Sequence, residues 1–177
     1  NNMGNQNLYD IEVTLFDGNE LYDKITKRIG FKNIKWDKCK GSSENADPWL
    51  CKINGKELFL QGVNWTPIRP NFADVKKDQY RKRLDFYRSI GLNILRVWGG
   101  FTLEKQLFYD LCDELGLLVW QELPLSSSGL ENFPPDDYEI VEQYKLITDS
   151  YIKRRHHHAC LLLWSGGNEL TDKQGNP

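Results

Sequence analysis

Four short apolar runs, separated by segments of helical period, constrain this chain more than any other feature. "LFLQGVN" (58–64), "NILRV" (93–97), "LLVWQ" (117–121) and "CLLLWSG" (160–166) are brief and nearly unbroken in their apolarity. Runs of that length and texture read as strands covered on both faces. Between them, "DQYRKRLDFYRSI" spaces Tyr80, Leu84 and Tyr87 helically, with Phe86 and Ile90 beside them and Gly91 as a stop. "TLEKQLFYDLCDELG" predicts a helix capped by Thr102, striped by Leu107, Leu111 and Leu115, and ended by Gly116. "DDYEIVEQYKLITDSYIKR" predicts a third, with Ile140, Val141, Tyr144, Ile147 and Tyr151 facing inward. Strands alternating with helices imply right-handed crossovers and a parallel sheet.

A doubly wound sheet and a (β/α)8 barrel both begin this way, and the residues just past each strand separate them. Asn64-Trp65 close the first strand, while Arg96, Trp98 and Gly99-Gly100 close the second. Gln121-Glu122 close the third and Asn168-Glu169 the fourth. Large polar and aromatic groups thus recur at the C-terminal end of every strand, where a barrel keeps its active site. No GxGxxG or Walker sequence comes after the first strand, which argues against a dinucleotide or phosphate fold. The pattern favours a barrel, present as its first four β/α units.

The first third reads differently. "LYDIEVTLF" alternates Tyr9, Ile11, Val13 and Leu15 with polar neighbours and reaches a hairpin signal at Asp17-Gly18. "ELYDKITKRIGFKNIKW" continues with Leu21, Ile25 and Ile29 in even steps. So few antiparallel strands cannot bury a face alone, so they read as the tail of a β-sandwich. The polar stretch "KCKGSSENADP", Lys38 to Pro48, marks the boundary, and a second hairpin signal lies beyond it at Asn54-Gly55. A length of 177 residues suits one ordinary domain, or a small domain with part of a larger one.

Several function classes are disfavoured. A net charge of −2 gives no electrostatic case for nucleic acid or an anionic membrane surface. The basic run "KKDQYRKR" is one solvated helix face. No apolar run approaches the roughly 20 residues of a membrane span. Cys39, Cys51, Cys112 and Cys160 form no CxxC pair, so no zinc site is expected. Cys112 and Cys160 read as buried thiols, and Cys39 with Cys51 as a possible pair only in an oxidising compartment. His156, His157 and His158 lie about 100° apart on a helix and do not converge on one ion. They read as a helix end suited to the dipole. No metal and no cofactor is expected.

Six tryptophans remain to be placed. Trp36 and Trp49 flank the boundary and read as interdomain packing, whereas Trp120 and Trp164 sit within strands as core or pocket floor. "SSSGLENFPPDD", Ser126 to Asp137, reads as a long loop shaping the cleft. Trp65 and Trp98 are placed to stack on a sugar ring, and Arg96 to bond hydroxyls or orient a carboxylate. Glu169 beside Asn168 suits a general acid, provided burial favours its neutral form. Spacing alone leaves an exposed, helix-capping Glu169 equally open.

"LFLQGVNWTPIRP", "GLNILRVWGG", "FYDLCDELGLLVWQE" and "IKRRHHHACLLLWSGGNEL" together resemble glycoside hydrolase family 2, most closely its β-mannosidase branch. The likeness covers nearly the whole chain, with "GFKNIKW" similar to the last strand of the immunoglobulin-like domain that precedes the barrel. The resemblance implies three parts: sandwich strands over 1–40, a linker over 41–48, and the N-terminal half of a TIM barrel over 49–177. It implies a retaining, exo-acting hydrolase of terminal β-linked sugars. Glu169 matches its acid/base, and Asn168 matches the amide that binds the sugar next to the scissile bond. Arg96, Trp98, Asn64 and Trp65 match pocket residues, and the partner is an oligosaccharide or glycoside. Two positions depart: the branch commonly shows Asn where Gly167 stands and often Asp where Glu122 stands, which puts the sugar in question. The family's nucleophile comes after the seventh strand. Glu122 as a second carboxylate is a minor reading; a role in binding a hydroxyl or orienting Arg96 fits it better. A chain of four such units is expected to be inactive alone and prone to self-association.

Overall fold

The computed structural model describes residues 3–126 and 133–176, so half of the cleft-shaping loop expected over Ser126–Asp137, residues 127–132, lies outside the described residues. The chain begins with an antiparallel ribbon of β1 (Tyr9–Asp17) and β2 (Glu20–Ile29). Asp17 pairs with Glu20, so the tight turn is Gly18-Asn19, one residue later than expected, with Gly18 at φ +60. Tyr9 pairs with Ile29 and Val13 with Ile25 on one face, and all of these but Ile29 are exposed.

β3 (Ile34–Asp37), β4 (Leu50–Ile53) and β5 (Lys56–Leu58) form a second antiparallel sheet. Its hairpin turns at Asn54 and Gly55, both with positive φ, the conformation a two-residue type I′ turn demands. Asn54 Oδ1 also accepts from the Asn33 amide at 2.8 Å, which ties the turn to the start of β3. The segment over 38–48 therefore joins two paired strands, β3 and β4. Trp36 packs edge-to-face on Trp49 at 6.2 Å.

β6 (Gly62–Trp65), β7 (Ile94–Val97), β8 (Leu118–Glu122) and β9 (Leu161–Ser165) form a parallel sheet in sequential order. α1 (Lys77–Ser89), α2 (Gln106–Leu115) and α3 (Tyr138–Arg155) supply the crossovers. Sequential order leaves no switch point among these strands, unlike a doubly wound sheet. The single strand expected over 58–64 is instead two, β5 and β6, belonging to different sheets. Asn93 fixes the change of direction: its Oδ1 accepts from Gln61 N–H (2.9 Å) and its Nδ2 donates to the Phe59 carbonyl (2.8 Å).

Strand alternation sorts the apolar residues into two cores. Trp65, Leu95, Val97 and Val119 face the helices and pack with Tyr80, Leu84, Phe108, Leu111 and Leu115. Ile94 and Leu162 face the other way, where Cys51 and Ile53 of the β4–β5 hairpin plug the inner side with Leu118 and Trp120. Gly62 is needed here, because a Cβ would stand 1.9 Å from the Ile94 carbonyl oxygen of the neighbouring strand.

Two helix expectations fail. Thr102 does not cap α2, which starts at Gln106, because Leu103 and Glu104 are drawn into the core first. The Glu104 carboxylate accepts from Trp65 Nε1 (2.9 Å), Tyr80 OH (2.8 Å) and Lys105 N–H (3.1 Å), and Arg155 Nη2 donates to its carbonyl (2.8 Å). On α3 only Tyr151 of the five expected residues is buried; Ile140 and Ile147 are exposed. The helix is anchored instead by polar groups at its end, Tyr151 OH accepting from Leu103 N–H (3.0 Å) and Arg155 reaching Gln106 Oε1 (2.7 Å). Phe86 of α1 and Ile90 just after it are exposed as well. No helix among the described residues is long and apolar enough to cross a membrane.

The histidine run diverges. His156 sits at the end of α3 with Nδ1 2.8 Å from the Ile152 carbonyl, while His158 is buried with Nδ1 2.6 Å from Asp113 Oδ2. His157 lies between, half-buried, and its burial and the neighbouring His158, Lys27 and His156 push its pKa down to about 4.

Truncating Glu104 to alanine leaves the Trp65 and Tyr80 donors buried without an acceptor, at about 1–3 kcal/mol each. Glu104→Ala is therefore expected to lower stability by about 2–6 kcal/mol, read from the denaturant midpoint. His157 has the opposite control. Below its ordinary value near 6.5 the unfolded chain takes up a proton that the folded one refuses until about pH 4. Stability is thus expected to fall as pH drops through that window, and His157→Gln to flatten the decline in melting temperature between pH 6.5 and 5.

A candidate sugar-binding site at the strand ends

The C-terminal ends of the four parallel strands bring Asn64, Arg96, Glu122 and Asn168 together. Alternation places Asn64, Arg96 and Glu122 on the inner side of the sheet, opposite the helices. Arg96 is the hub: Nε donates to Glu122 Oε1 (2.8 Å), Nη2 lies 2.5 Å from the same oxygen, Nη2 also donates to Asn168 Oδ1 (2.5 Å), and Nη1 donates to Asn64 Oδ1 (3.1 Å). Its guanidinium lies 5.4 Å from the Trp120 ring centre, so Trp120 is the floor beneath it.

Glu122 is 1% exposed, and a carboxylate that deep needs donors on both oxygens. Arg96 supplies one side and the Gly99 N–H the other, at 2.8 Å to Oε2. Its backbone is fixed from behind, where Gln121 Nε2 donates to the Glu122 carbonyl (2.8 Å) and Gln121 Oε1 accepts from Tyr109 OH (2.5 Å). Glu122 therefore orients Arg96. With both oxygens engaged in a buried pair it is placed neither to bond a sugar hydroxyl nor to serve as a second carboxylate, and those two expectations are corrected.

Asn168 is held three ways. Arg96 binds its Oδ1, its N–H donates to the Leu125 carbonyl (2.8 Å), and its Nδ2 reaches Ser126 Oγ at 3.4 Å. Glu169 comes next in the left-handed region, φ +52, shared among non-glycine residues only with Asn54 of the described chain. That conformation costs on the order of 1 kcal/mol and turns the side chain off the line of β9. Glu169 is exposed, so the expected withdrawal from water is not present: it stands on the rim beyond the sheet rather than within it.

Trp65 is the second correction. Adjacent residues of a strand face opposite ways, so Asn64 and Trp65 cannot share the inner side. Trp65 is 3% exposed, ringed by Tyr80, Tyr87 and Phe108, and hydrogen-bonded to Glu104. It is core and cannot stack on a ligand. Trp98, half-buried just past the end of β7, lies against Gly100, where a Cβ would stand 1.9 Å from Trp98 Cζ2. Trp164 packs against the helix-side core. Sequence reasoning missed Ser126 and the Gly99 amide. A backbone donor leaves no residue-type signal, and Ser126 counted only as the start of a loop.

The remaining chemistry lies elsewhere. All four cysteines are free thiols, with Cys39 exposed and Cys51 buried, so these two do not pair. Asp113, His158 and Cys160 bring ligand-type atoms within 4.8 Å of one another. Each already has a protein partner: His158 Nδ1 and Cys160 N–H hold the two Asp113 oxygens at 2.6 Å, and Cys160 Sγ lies 3.6 Å from the Tyr109 carbonyl. Burial pushes the Cys160 thiol well up, which keeps it protonated and a poor ligand. The cluster reads as a hydrogen-bonded brace. A cavity of about 180 Å³ lined by Lys32, Asn93, Asp113 and Cys160 opens at the opposite, N-terminal ends of the strands.

Comparison with known proteins agrees with this geometry. Residues 48–175 match the model for "Glycosyl hydrolases family 2, TIM barrel domain". The chain is 32% identical to β-mannosidase A of Emericella nidulans over 176 residues, covering 95% of this chain and 18% of that protein. The crystal structure of the β-D-mannosidase from Dictyoglomus thermophilum superposes with a TM-score of 0.79 at 34% identity, over 94% of this chain and 20% of that one. The β-glucuronidase of Parabacteroides merdae superposes at 0.72 with 26% identity, over 93% and 18% respectively. The chain thus spans about a fifth of the length of the relatives it matches. With a parallel sheet in sequential order, polar groups gathered at its C-terminal ends and a family match over residues 48–175, this chain belongs to glycosyl hydrolase family 2 through that family's TIM barrel domain.

Proposed function

We propose that this chain is the part of a retaining β-glycosidase that carries its general acid/base, with a terminal β-mannoside as the substrate. The observation that carries the reading is the Arg96 lattice, which fixes Asn168 immediately before Glu169 at the open ends of the strands. In the complete enzyme Glu169 protonates the departing glycosidic oxygen. It then draws a proton from the water that attacks the covalent glycosyl-enzyme. The nucleophile of that intermediate is a carboxylate from outside these four β/α units. Asn168 bonds the sugar hydroxyl beside the scissile bond, Trp98 walls the pocket, and Asn64 faces the same space.

Residues 1–40 are read as the last strands of an immunoglobulin-like sandwich, 41–48 as the linker and 49–177 as the first half of the barrel. The β-mannosidase relatives at 32% and 34% identity support mannoside over the glucuronide named by the neighbour at 26%.

The full-length protein assayed on aryl β-mannoside, β-galactoside, β-glucuronide and β-glucosaminide is expected to prefer the first; preference for another replaces the sugar but keeps the chemistry. Glu169→Gln is expected to lower kcat by about 10²–10⁴, and unchanged turnover would remove Glu169 from catalysis. The isolated chain is expected to turn over none of the four. Its ribbon face of Ile11, Val13, Leu15 and Ile25 and the outer strands β6 and β9 lack cover among the described residues, so sedimentation should show self-association.

A further inference from the structure

After β8 the chain runs on beside the segment that follows β9 as a short strap, Leu123–Ser126. The strap is held by backbone groups: Leu123 N–H donates to the Ser165 carbonyl (2.9 Å), Asn168 N–H donates to the Leu125 carbonyl (2.8 Å), and Ser126 forms a parallel bridge with Asn168. Two glycines make room for it. A Cβ on Gly99 would stand 2.4 Å from the Leu123 carbonyl oxygen, and one on Gly167 would stand 2.6 Å from that of Leu125. Both obstacles are backbone atoms, which cannot swing aside as a flexible side chain does.

The consequence falls on Asn168. Arginine has no acceptor, so the Asn168 atom facing Arg96 Nη2 is its oxygen, and its nitrogen turns toward Ser126 Oγ, 3.4 Å away. An oxygen that accepts from Asn168 keeps its own proton to donate. Ser126 is half-buried, beside the one amide the proposed mechanism uses to hold the sugar.

We propose that Ser126 is a specificity-determining residue of the pocket, set by the glycine-seated strap to steady the Asn168 amide and to donate its hydroxyl proton to an oxygen of the bound sugar. This rests on the glycosidase reading of the site. Sugars that present an oxygen to this wall are favoured over those lacking it, and Gly167 serves the pocket by admitting the strap rather than by enlarging the cleft.

The test uses the full-length protein, its preferred aryl glycoside, and the parent monosaccharide with its monodeoxy analogues as competitive inhibitors. Ser126→Ala is expected to raise KM about fivefold to tenfold with kcat within about twofold, and Ser126→Thr to stay near the parent. For one monodeoxy analogue, Ser126→Ala and the parent should give the same inhibition constant, because the contact is already gone. An unchanged KM in Ser126→Ala, or an equal loss across every analogue, overturns the assignment while leaving the glycosidase reading intact. A parent protein that turns over none of the aryl glycosides overturns both.

Discussion

A guanidinium can only donate, and that one-sidedness organises the strand ends of this protein. Arg96 faces oxygens from three other strand ends, Glu122, Asn64 and Asn168, and each must present oxygen to it. The orientations of both asparagine amides result without further assumption. Taking the Glu122 carboxylate to 1% exposure is costly, and the cost is offset because Arg96 and the Gly99 amide together serve both of its oxygens. Trp120 closes the guanidinium's lower face, so the hub is gripped at its edge and beneath.

A second polar system lies on the helix side of the same strands. Glu104 ties Trp65 to α1, and Arg155 ties the end of α3 to the Glu104 carbonyl and to Gln106. From Gln106 the chain of contacts runs through His158 Nε2 (2.8 Å) to Asp113 and the start of β9. Arg155 also stacks on Tyr109, whose hydroxyl meets Gln121 immediately before Glu122. The inner and outer systems meet at this point. The outer brace holds β8 in place, β8 holds Glu122, and Glu122 holds Arg96. Under the proposed function such rigidity would favour binding, because the rim's polar groups would need no reordering when a ligand arrives.

Much of this is legible in the sequence because periodicity reports burial. Every parallel strand can be placed within a few residues, and the polar residues expected to close the strands do gather at one end of the sheet. The misreadings share a cause: the position where a pattern begins is decided by tertiary contacts. Thr102 looks like a cap until Glu104 is seen to be needed by Trp65 and Tyr80. The run over 58–64 looks like one strand until Asn93 pins a turn inside it. Trp65 looks like a platform only if its neighbour Asn64 is ignored, and strand alternation alone forbids both facing inward. The α3 stripe misleads because Tyr151 and Arg155 anchor that helix by hydrogen bonds, which leave no apolar period to read.

The two positions where the resemblance implies a departure from the β-mannosidase branch, Gly167 and Glu122, take on a different meaning in the fold. Glycine at 167 in place of a larger residue suggests a wider pocket, yet the Leu125 carbonyl occupies the volume a Cβ would need. Glutamate at 122 in place of aspartate suggests a longer reach toward the ligand, yet its carboxylate is turned into the protein between Arg96 and the Gly99 amide. The extra methylene is used within the scaffold, and the missing side chain is replaced by backbone. Neither change adds open space where a sugar would lie. Under the proposed glycosidase reading, discrimination between sugars would fall to the Asn168 amide, the Ser126 hydroxyl, Trp98 and Asn64.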